Sequence, residues 1–474
     1  MTNLKEFKKQ AYKFIDWIVE YYEDIEKYSV KPDVEPDQIY KKLPAKPPEN
    51  GEPIDTIFED FNKIILPGLT HWQSPNFFAY FPANSSLPSF LAEIITAALG
   101  AQCMKWETSP AATELEELVM DWLKKMLKLP DYFHGVIQDT ASTSTLCALL
   151  TAREKLSGFK INDLGFEFSD AYRVYCSEEA HSSVEKAIKI CGIGSRNLIK
   201  IETDELFSLK PDVLKKRIEK DITAGKKPLC VVATFGTTSS TAIDPIEEIG
   251  NICRKYKLWL HVDAAYAGSA LILPKYRRMV KDLRQVDSFV VNPHKWLFTN
   301  FDCSAYYVRD KESLIRTFQI VPEYLKTPNQ GRVNDYCDWG IQLGRRFRAL
   351  KLWFVIRNFG LKGLQDKLKK HISLAGYFKE MIINDKDFEL VVPVNFNLVC
   401  FRFKPQNILC HETLNKINEH LLETINNTGN IYLTHTRLKG IYTLRMAIGQ
   451  TNVEKRHVDG AWKLIKEKAY SLKI

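Results

Sequence analysis

VDSFVVNPHKW, residues 286–296, joins a short apolar run to a tandem His294-Lys295 through an Asn-Pro step. Ser288, Phe289, Val290 and Val291 read as a buried strand. Asn292-Pro293 ends it, because proline cannot donate to a ladder and restricts the residue before it. Most lysines stay in water. Lys295 instead lies between an apolar strand and Trp296, where a lone ammonium would be costly to bury. Upstream, LWLHVDAAYAG, residues 258–268, repeats the design: an apolar strand with Asp263 at its end.

Working outward, other strands lead into helices. AYRVYCS (171–177) runs into EEAHSSVEKAIKI (178–190), where Ser182 and Glu185 have the spacing of a capping box and His181 stands just ahead of the helix. PLCVVATFGTTSS (228–240) leads to Asp244-Pro245, expected as an N-cap with proline at the first helical position, and then to IEEIGNICRKY. Strands alternating with helices predict an α/β fold with a mostly parallel sheet and right-handed crossovers. Ligands of such sheets bind beyond the strands' carboxyl ends. His181, Thr238, Asp263 and Lys295 all fall at that edge. Before them, VIQDTASTSTLCALLTAREKL (136–156) opens on a cluster of hydroxyls and continues as a helix. A helix N-terminus with its unpaired amides suits a phosphate, although Ser/Thr runs are also ordinary caps.

The flanks supply the remaining parts. Residues 4–28 have apolar side chains at helical spacing, and a proline-rich connector follows over 31–53. HWQSPNFFAYFPANSS (71–86) concentrates aromatic rings, which by periodicity alone form a packing cluster and by chemistry would wall a pocket for a flat ligand. A helix is predicted over 113–128. VPEYLKTPNQGRVNDYCDW (321–339) has no period and reads as a long mobile loop. Helices and strands such as FNLVCFRF and YTLRMAIG follow. The expected division is a helical N-terminal segment (1–84) packing across a dimer, a large α/β domain (85–350) and a small C-terminal α+β domain (351–474).

Composition narrows the class. With 45% hydrophobic and 26% charged residues, the 474-residue chain is that of a globular protein with a large core. The apolar stretch 87–104 is broken by Glu93 and Gln102, and no signal-peptide pattern opens the chain. The ten cysteines include no Cys-x-x-Cys, favouring reduced buried thiols over disulfides or a metal site. A cytoplasmic protein is expected, with no membrane partner. The net charge of +8 is spread among acids, unlike the segregated basic face of a nucleic-acid binder.

A lysine beyond one strand end and an aspartate beyond another are the two groups a pyridoxal-phosphate enzyme needs: one holds the aldehyde, the other keeps the pyridine nitrogen protonated. NPHKW (292–296), HVDAAYAGSA (261–270), SPAATELE (109–116), AHSSVEKA (180–187) and LGRRFRALKLW (343–353) stand in the same chain. With them the sequence resembles the group II pyridoxal-phosphate decarboxylases over nearly its whole length, and among these the aromatic L-amino-acid decarboxylases.

The resemblance implies fold type I of the pyridoxal-phosphate enzymes, a homodimer and a role for each matching residue. Lys295 is similar to the Schiff-base lysine, Asp263 to the partner of the pyridine nitrogen, His181 to the imidazole stacked on the ring and Ala265 to the small residue beneath it. Ala141, Ser142, Asn292 and His294 match positions that hold the phosphate, and Thr238 a threonine near the ring. Trp72, Tyr80, Phe81 and Pro82 correspond to the substrate pocket, and Gln102 and Met104 to positions contributed across the dimer. Tyr324 matches the loop tyrosine that returns a proton once carbon dioxide has left. Gly344 matches a position where plant relatives with glycine favour indolic substrates and those with serine phenolic ones. The implied reaction is decarboxylation of an aromatic L-amino acid to an arylalkylamine, with tryptophan favoured over tyrosine, phenylalanine or dihydroxyphenylalanine. The alternatives are an aromatic aldehyde synthase, a histidine decarboxylase suited to the polar Gln102, and a non-enzymatic scaffold. Aldehyde-forming relatives carry phenylalanine at the Tyr324 position or asparagine at the His181 position, and this chain has neither. One departure bears on the cofactor: Asp139 stands where glycine is frequent, and a carboxylate beside a phosphate is unfavourable unless turned away.

Overall fold

The seven strands of the main sheet lie in the order β1-β7-β6-β5-β4-β2-β3 in the computed structural model, which describes residues 3–166, 171–320, 322–323, 328–329 and 331–472. They are β1 (His134–Gln138), β2 (Tyr172–Ser177), β3 (Leu198–Ile201), β4 (Lys227–Thr234), β5 (Trp259–Asp263), β6 (Ser288–Val291) and β7 (Ser304–Val308). From β6 through β5, β4 and β2 to β3 every pairing is parallel. β7 runs against both of its neighbours, β6 and β1. The sequence pattern announces β2, β4, β5 and β6, each apolar and followed by a turn signal. It gives no hint of β3.

Every residue of β5, β6 and β7 is buried. Strands of a sheet covered on both faces lose the polar-apolar alternation and read as continuous apolar runs. One cover is the helix Ala141–Ser157, whose Leu146, Cys147, Leu149 and Ala152 pack with Val174, Cys230, Val232 and Tyr306 in a single cluster. Tyr336 and Trp339 belong to the same cluster and sit on a short helical turn, Tyr336–Trp339. The end of the stretch expected as a mobile loop is therefore anchored in the core. Tyr324 lies outside the described residues.

Two local expectations are corrected. The helix Ser182–Ile190 is capped by His181 and not by Ser182: the imidazole Nδ1 accepts from the Ser183 amide at 3.2 Å. Glu185 faces outward to Lys189 and Lys200 rather than closing a capping box. Asp244 likewise caps no helix, since the Ile246–Tyr256 helix begins after Pro245. Its carboxylate is buried and accepts from the amides of Leu209 (2.8 Å) and Thr234 (2.7 Å), tying β4 to the 203–209 turn.

The contacts divide the chain into two compact units. Residues 83–375 and 392–398 carry the main sheet. Residues 1–82, 376–391 and 399–474 carry the amphipathic helix Leu4–Glu23 and the greater part of a four-stranded sheet, in the order β10-β11-β9-β8. Those strands are β8 (Phe388–Leu390), β9 (Leu398–Phe403), β10 (Thr434–Leu438) and β11 (Ile441–Ala447). Among the described residues no helix is long and apolar enough to cross a membrane. None of the ten cysteines is in a disulfide, and of the ten Cys410 alone is exposed.

Burial lifts the Asp244 carboxyl from 3.8 to about 6 against the pull of its two amide donors. The folded chain thus holds this proton more tightly than the unfolded one, so the stability this group contributes falls as pH rises from about 4 to about 6. Asp244→Ala should lower stability by about 2 kcal/mol, because two buried amides lose their acceptor. Asp244→Asn should flatten the pH dependence across that window. Urea unfolding at pH 4 and pH 7 checks both, and an unchanged midpoint in the alanine variant would show the amides to be satisfied elsewhere.

Candidate active site

β5 and β6 are adjacent parallel strands with Asp263 opposite Val290, so the end of each opens onto the same edge. Beyond β6 a single turn, Pro293–Trp296, carries His294 and Lys295. That turn is held on several sides. The Lys295 amide donates to the Asn292 carbonyl at 2.9 Å. The buried Trp296 ring stacks on Tyr266 (centroids 5.0 Å apart, planes 6° apart) and donates through Nε1 to His371 Nδ1 at 3.0 Å. Asn84 grips the outside: its amide donates to the His294 carbonyl at 3.0 Å, and its Nδ2 to the Lys295 carbonyl at 2.5 Å. With its backbone fixed in this way, the Lys295 side chain has a defined origin.

Burial lowers the Lys295 amine below the ordinary lysine range, although Asp263 pulls the other way. Asp263 is itself buried and accepts from the Ala265 amide at 3.0 Å. His181 joins the pair electrostatically. Burial lowers its pKa, Asp263 opposes that and Lys295 adds to it. Its Nδ1 lies 2.8 Å from Ser183 Oγ besides accepting from the Ser183 amide, so the geometry assigns a neutral ring with its proton on Nε2. Three residues from three separate strand ends are thereby brought to one place.

A second group of polar side chains borders them. Asn292 Oδ1 accepts from Ser304 Oγ at 2.7 Å, and Ser304 Oγ lies 3.2 Å from Ser144 Oγ, which orients the Asn292 amide nitrogen away from Ser304. His294 Nδ1 accepts from the Cys303 amide at 2.9 Å, while burial, and then the charge of Lys295, push the ring down to about 3. It too is neutral, with a donor on Nε2. At the head of the Ala141–Ser157 helix, Thr140 has N-cap geometry but makes no capping bond. Ser142 and Thr238 are exposed, and Ala265 is half-buried. Behind them His261, two residues before Asp263 and on the same strand face, lies between Ser288 Oγ (2.9 Å) and Thr145 Oγ1 (3.4 Å), and burial lowers it to about 4.

Gln102 and Gly344 lie together. Gln102 Oε1 accepts from the Arg345 amide at 2.6 Å, and a Cβ on Gly344 would stand 3.4 Å from Gln102 Nε2. The Met104 carbonyl accepts from the Cys337 amide at 2.8 Å. Beneath this surface the buried Arg345 guanidinium binds Glu116 through both nitrogens (2.7 and 3.1 Å) and also the Cys103 and Ile137 carbonyls. In the other unit, Trp72 stacks on Tyr80 (5.8 Å, 18°), and Phe81 and Pro82 are buried. Phe77 packs against Trp72 at 4.4 Å, so this stretch is in part the packing cluster its periodicity suggests. Asn84, Ser304, Cys303 and the Arg345–Glu116 pair are supports that the sequence did not single out. Only His261 carried a signal, through its period-two spacing from Asp263.

Residues 36–404 match the pyridoxal-dependent decarboxylase conserved domain. The chain belongs to that family. It is 43% identical to a tyrosine decarboxylase of Papaver somniferum over 98% of this chain and 94% of that one. Its fold follows the crystal structure of Catharanthus roseus tryptophan decarboxylase in complex with L-tryptophan, with 40% identity, 99% of each chain covered and a TM-score of 0.93. It follows equally that of a Rhodiola rosea 4-hydroxyphenylacetaldehyde synthase, with 38% identity, 99% of each chain covered and a TM-score of 0.93.

This decarboxylase, a carboxy-lyase of the aromatic amino-acid group, uses pyridoxal 5'-phosphate and has the fold type I architecture. The donor set fits that cofactor: an amine whose pKa desolvation lowers for an aldehyde, a buried carboxylate for a ring nitrogen, and an uncapped helix end for a phosphate. Borohydride reduction in the presence of pyridoxal phosphate should fix one pyridoxyl group on the peptide containing Lys295, and peptide mass spectrometry should find none in Lys295→Ala. Labelling that persists in the variant would reject this lysine.

Proposed function

We propose that the enzyme decarboxylates an aromatic L-amino acid to the corresponding arylalkylamine and carbon dioxide, with tryptophan favoured over tyrosine, phenylalanine or dihydroxyphenylalanine. The observation that carries the reading is the convergence of the half-buried Lys295, the buried Asp263 and His181 at the carboxyl edge of the sheet, where each acts on the others' charge. When bound, the cofactor accepts the electrons left behind as carbon dioxide departs. The chain does the rest. Lys295 presents the amine for the aldehyde, its pKa lowered by desolvation. Asp263 holds a proton at the cofactor's ring nitrogen by a charge-assisted hydrogen bond, of a kind worth about 1.5–3 kcal/mol. His181, neutral and fixed by Ser183, lies against the ring without adding a charge. Ala141, Ser142, Asn292 and His294 hold the phosphate; Thr238 and Ala265 border the ring. Tyr324 returns a proton to the substrate carbon, a step in which general acids contribute about 10²–10⁴-fold.

We assign Trp72, Tyr80, Phe81, Pro82, Gln102, Met104 and Gly344 to substrate binding. The indolic preference rests on Gly344, where a missing side chain leaves room for the larger ring. We propose a homodimer as well, with 1–84 packing across it as the first of three parts, ahead of 85–350 and 351–474. Support comes from the helix Leu87–Leu99, which exposes Leu87, Leu91, Ile94, Ile95 and Leu99, beside the exposed Gln102 and Gly344. A helix face of that kind on a folded protein is ordinarily covered by a partner. Ten cysteines outside any disulfide accord with a reducing, cytosolic setting.

The likeness to an aldehyde synthase favours one second reading, in which the released product is an aldehyde. Incubation with pyridoxal phosphate and individual amino acids should release amine, fastest from tryptophan; aldehyde and peroxide as the main products would establish the second reading. Tyr324→Phe should divert product toward aldehyde and lower amine formation about 10²-fold or more; unchanged amine output would remove Tyr324 from the reaction. Gly344→Ser should shift relative rates from indolic toward phenolic substrates, and equal ratios in both proteins would sink the pocket assignment.

A further inference from the structure

The carboxylate of Asp139 is folded back on its own chain. Its Oδ1 accepts from the Thr140 amide at 2.6 Å and lies 3.3 Å from Thr140 Oγ1. Thr140 has the extended backbone of an N-cap (φ −135°, ψ 161°) at the head of the seventeen-residue helix Ala141–Ser157. A threonine there ordinarily turns its hydroxyl onto the amide two or three residues on. This one makes no such bond, and besides Asp139 its oxygen lies 3.5 Å from Thr143 Oγ1. In a capping box the N-cap residue's own amide is taken by a carboxylate or carboxamide at the third helical position. That position is Thr143, too short for the task, and Asp139 takes the amide from the other side. The charge is not left uncompensated, because Arg348, paired in two bonds with Asp302 (2.9 and 3.2 Å), also feels Asp139.

We propose that Asp139 is a positioning residue that keeps the first turn of this helix uncapped, reserving its amides for the phosphate of the cofactor. The inference rests on the phosphate site proposed above. By drawing the Thr140 hydroxyl toward its own Oδ1, Asp139 turns that oxygen from the amides two and three residues on and leaves the anion no competitor. The apparent misfit of a carboxylate beside a phosphate is then a device for holding the binding groups ready. It acts through Thr140 and not through contact with the ligand.

The test compares wild type, Asp139→Ala and Asp139→Asn, each freed of cofactor. Dissociation constants come from quenching of tryptophan fluorescence by pyridoxal phosphate, and melting temperatures from the cofactor-free proteins. In the alanine variant Thr140 is released to cap the helix, so affinity should fall about 2- to 30-fold, the worth of a cap, while the cofactor-free protein melts no lower than wild type. Asparagine keeps the acceptor and drops the charge, so its affinity should equal or exceed that of wild type. Unchanged affinity in Asp139→Ala overturns the proposal. So does a matching drop in its melting temperature, which marks a merely structural role, or an asparagine variant as weak as alanine. Wild-type protein that fails to bind pyridoxal phosphate would instead overturn the proposed cofactor site.

Discussion

The carboxyl edge of the main sheet is organised by one opposition: an amine withdrawn from water, and a carboxylate that pulls it back toward its charged form. At the effective dielectric of a protein, two unit charges 4 Å apart attract by about 4 kcal/mol, comparable to the several kcal/mol needed to desolvate each ion. Neither effect dominates by a wide margin. For Lys295 desolvation wins, and the amine sits below the ordinary lysine range. The outcome depends on topology. Neighbouring strands lie about 4.8 Å apart, so only adjacent parallel strands such as β5 and β6 deliver groups from their ends into this range without a long side chain bending back.

Such a balance needs a rigid frame, and the surrounding hydrogen bonds supply it in layers. Trp296 anchors the turn from inside through Tyr266 and His371, and Asn84 anchors it from outside through two bonds to consecutive carbonyl groups. His181, His261 and His294 are all held below the ordinary imidazole range by burial. Around a charge-sensitive pair this has a purpose: His261 and His294, lowered to about 4 and about 3, stay neutral near pH 7 and do not shift the field on Lys295 and Asp263. His181 and His294 each have Nδ1 engaged by a backbone amide, which fixes the direction of Nε2, and His261 has both nitrogens engaged by hydroxyls.

Much of this was legible because the relevant signals are local. Apolar runs closed by Asn-Pro or by an acidic residue announced β5 and β6, and their order along the chain put Asp263 and Lys295 at one edge. The errors share a cause. Ser182 with Glu185, and Asp244 with Pro245, have the spacing of helix starts, but cap patterns describe a helix alone. In the folded chain an imidazole already occupied the first N-terminus, and two amides from distant segments claimed the Asp244 carboxylate. The same limit hid Asn84, Ser304 and the Arg345–Glu116 pair. Each joins residues more than 150 positions apart or packs a buried ion pair, and no short window of sequence contains both partners.

Gly344 illustrates how a position read singly changes meaning beside its neighbour. Space alone at that glycine favours a large ring. The adjoining Gln102, however, has its oxygen committed to the Arg345 amide, so the group it turns outward is the Nε2 donor. A donor suits a phenolic oxygen or an imidazole nitrogen and has nothing to offer an indole N–H. The two preferences are of unequal weight. An unpaired polar group costs about 1–3 kcal/mol only when it is also cut off from water, and Gln102 is exposed in the chain by itself. As long as water reaches that amide, its donor is satisfied whichever ring binds, and in the proposed pocket the missing side chain at Gly344 would decide. If dimer formation dries the amide, polarity takes over. In the pocket proposed above, preference among aromatic substrates would then turn on hydration at Gln102 and not on the size of residue 344 alone.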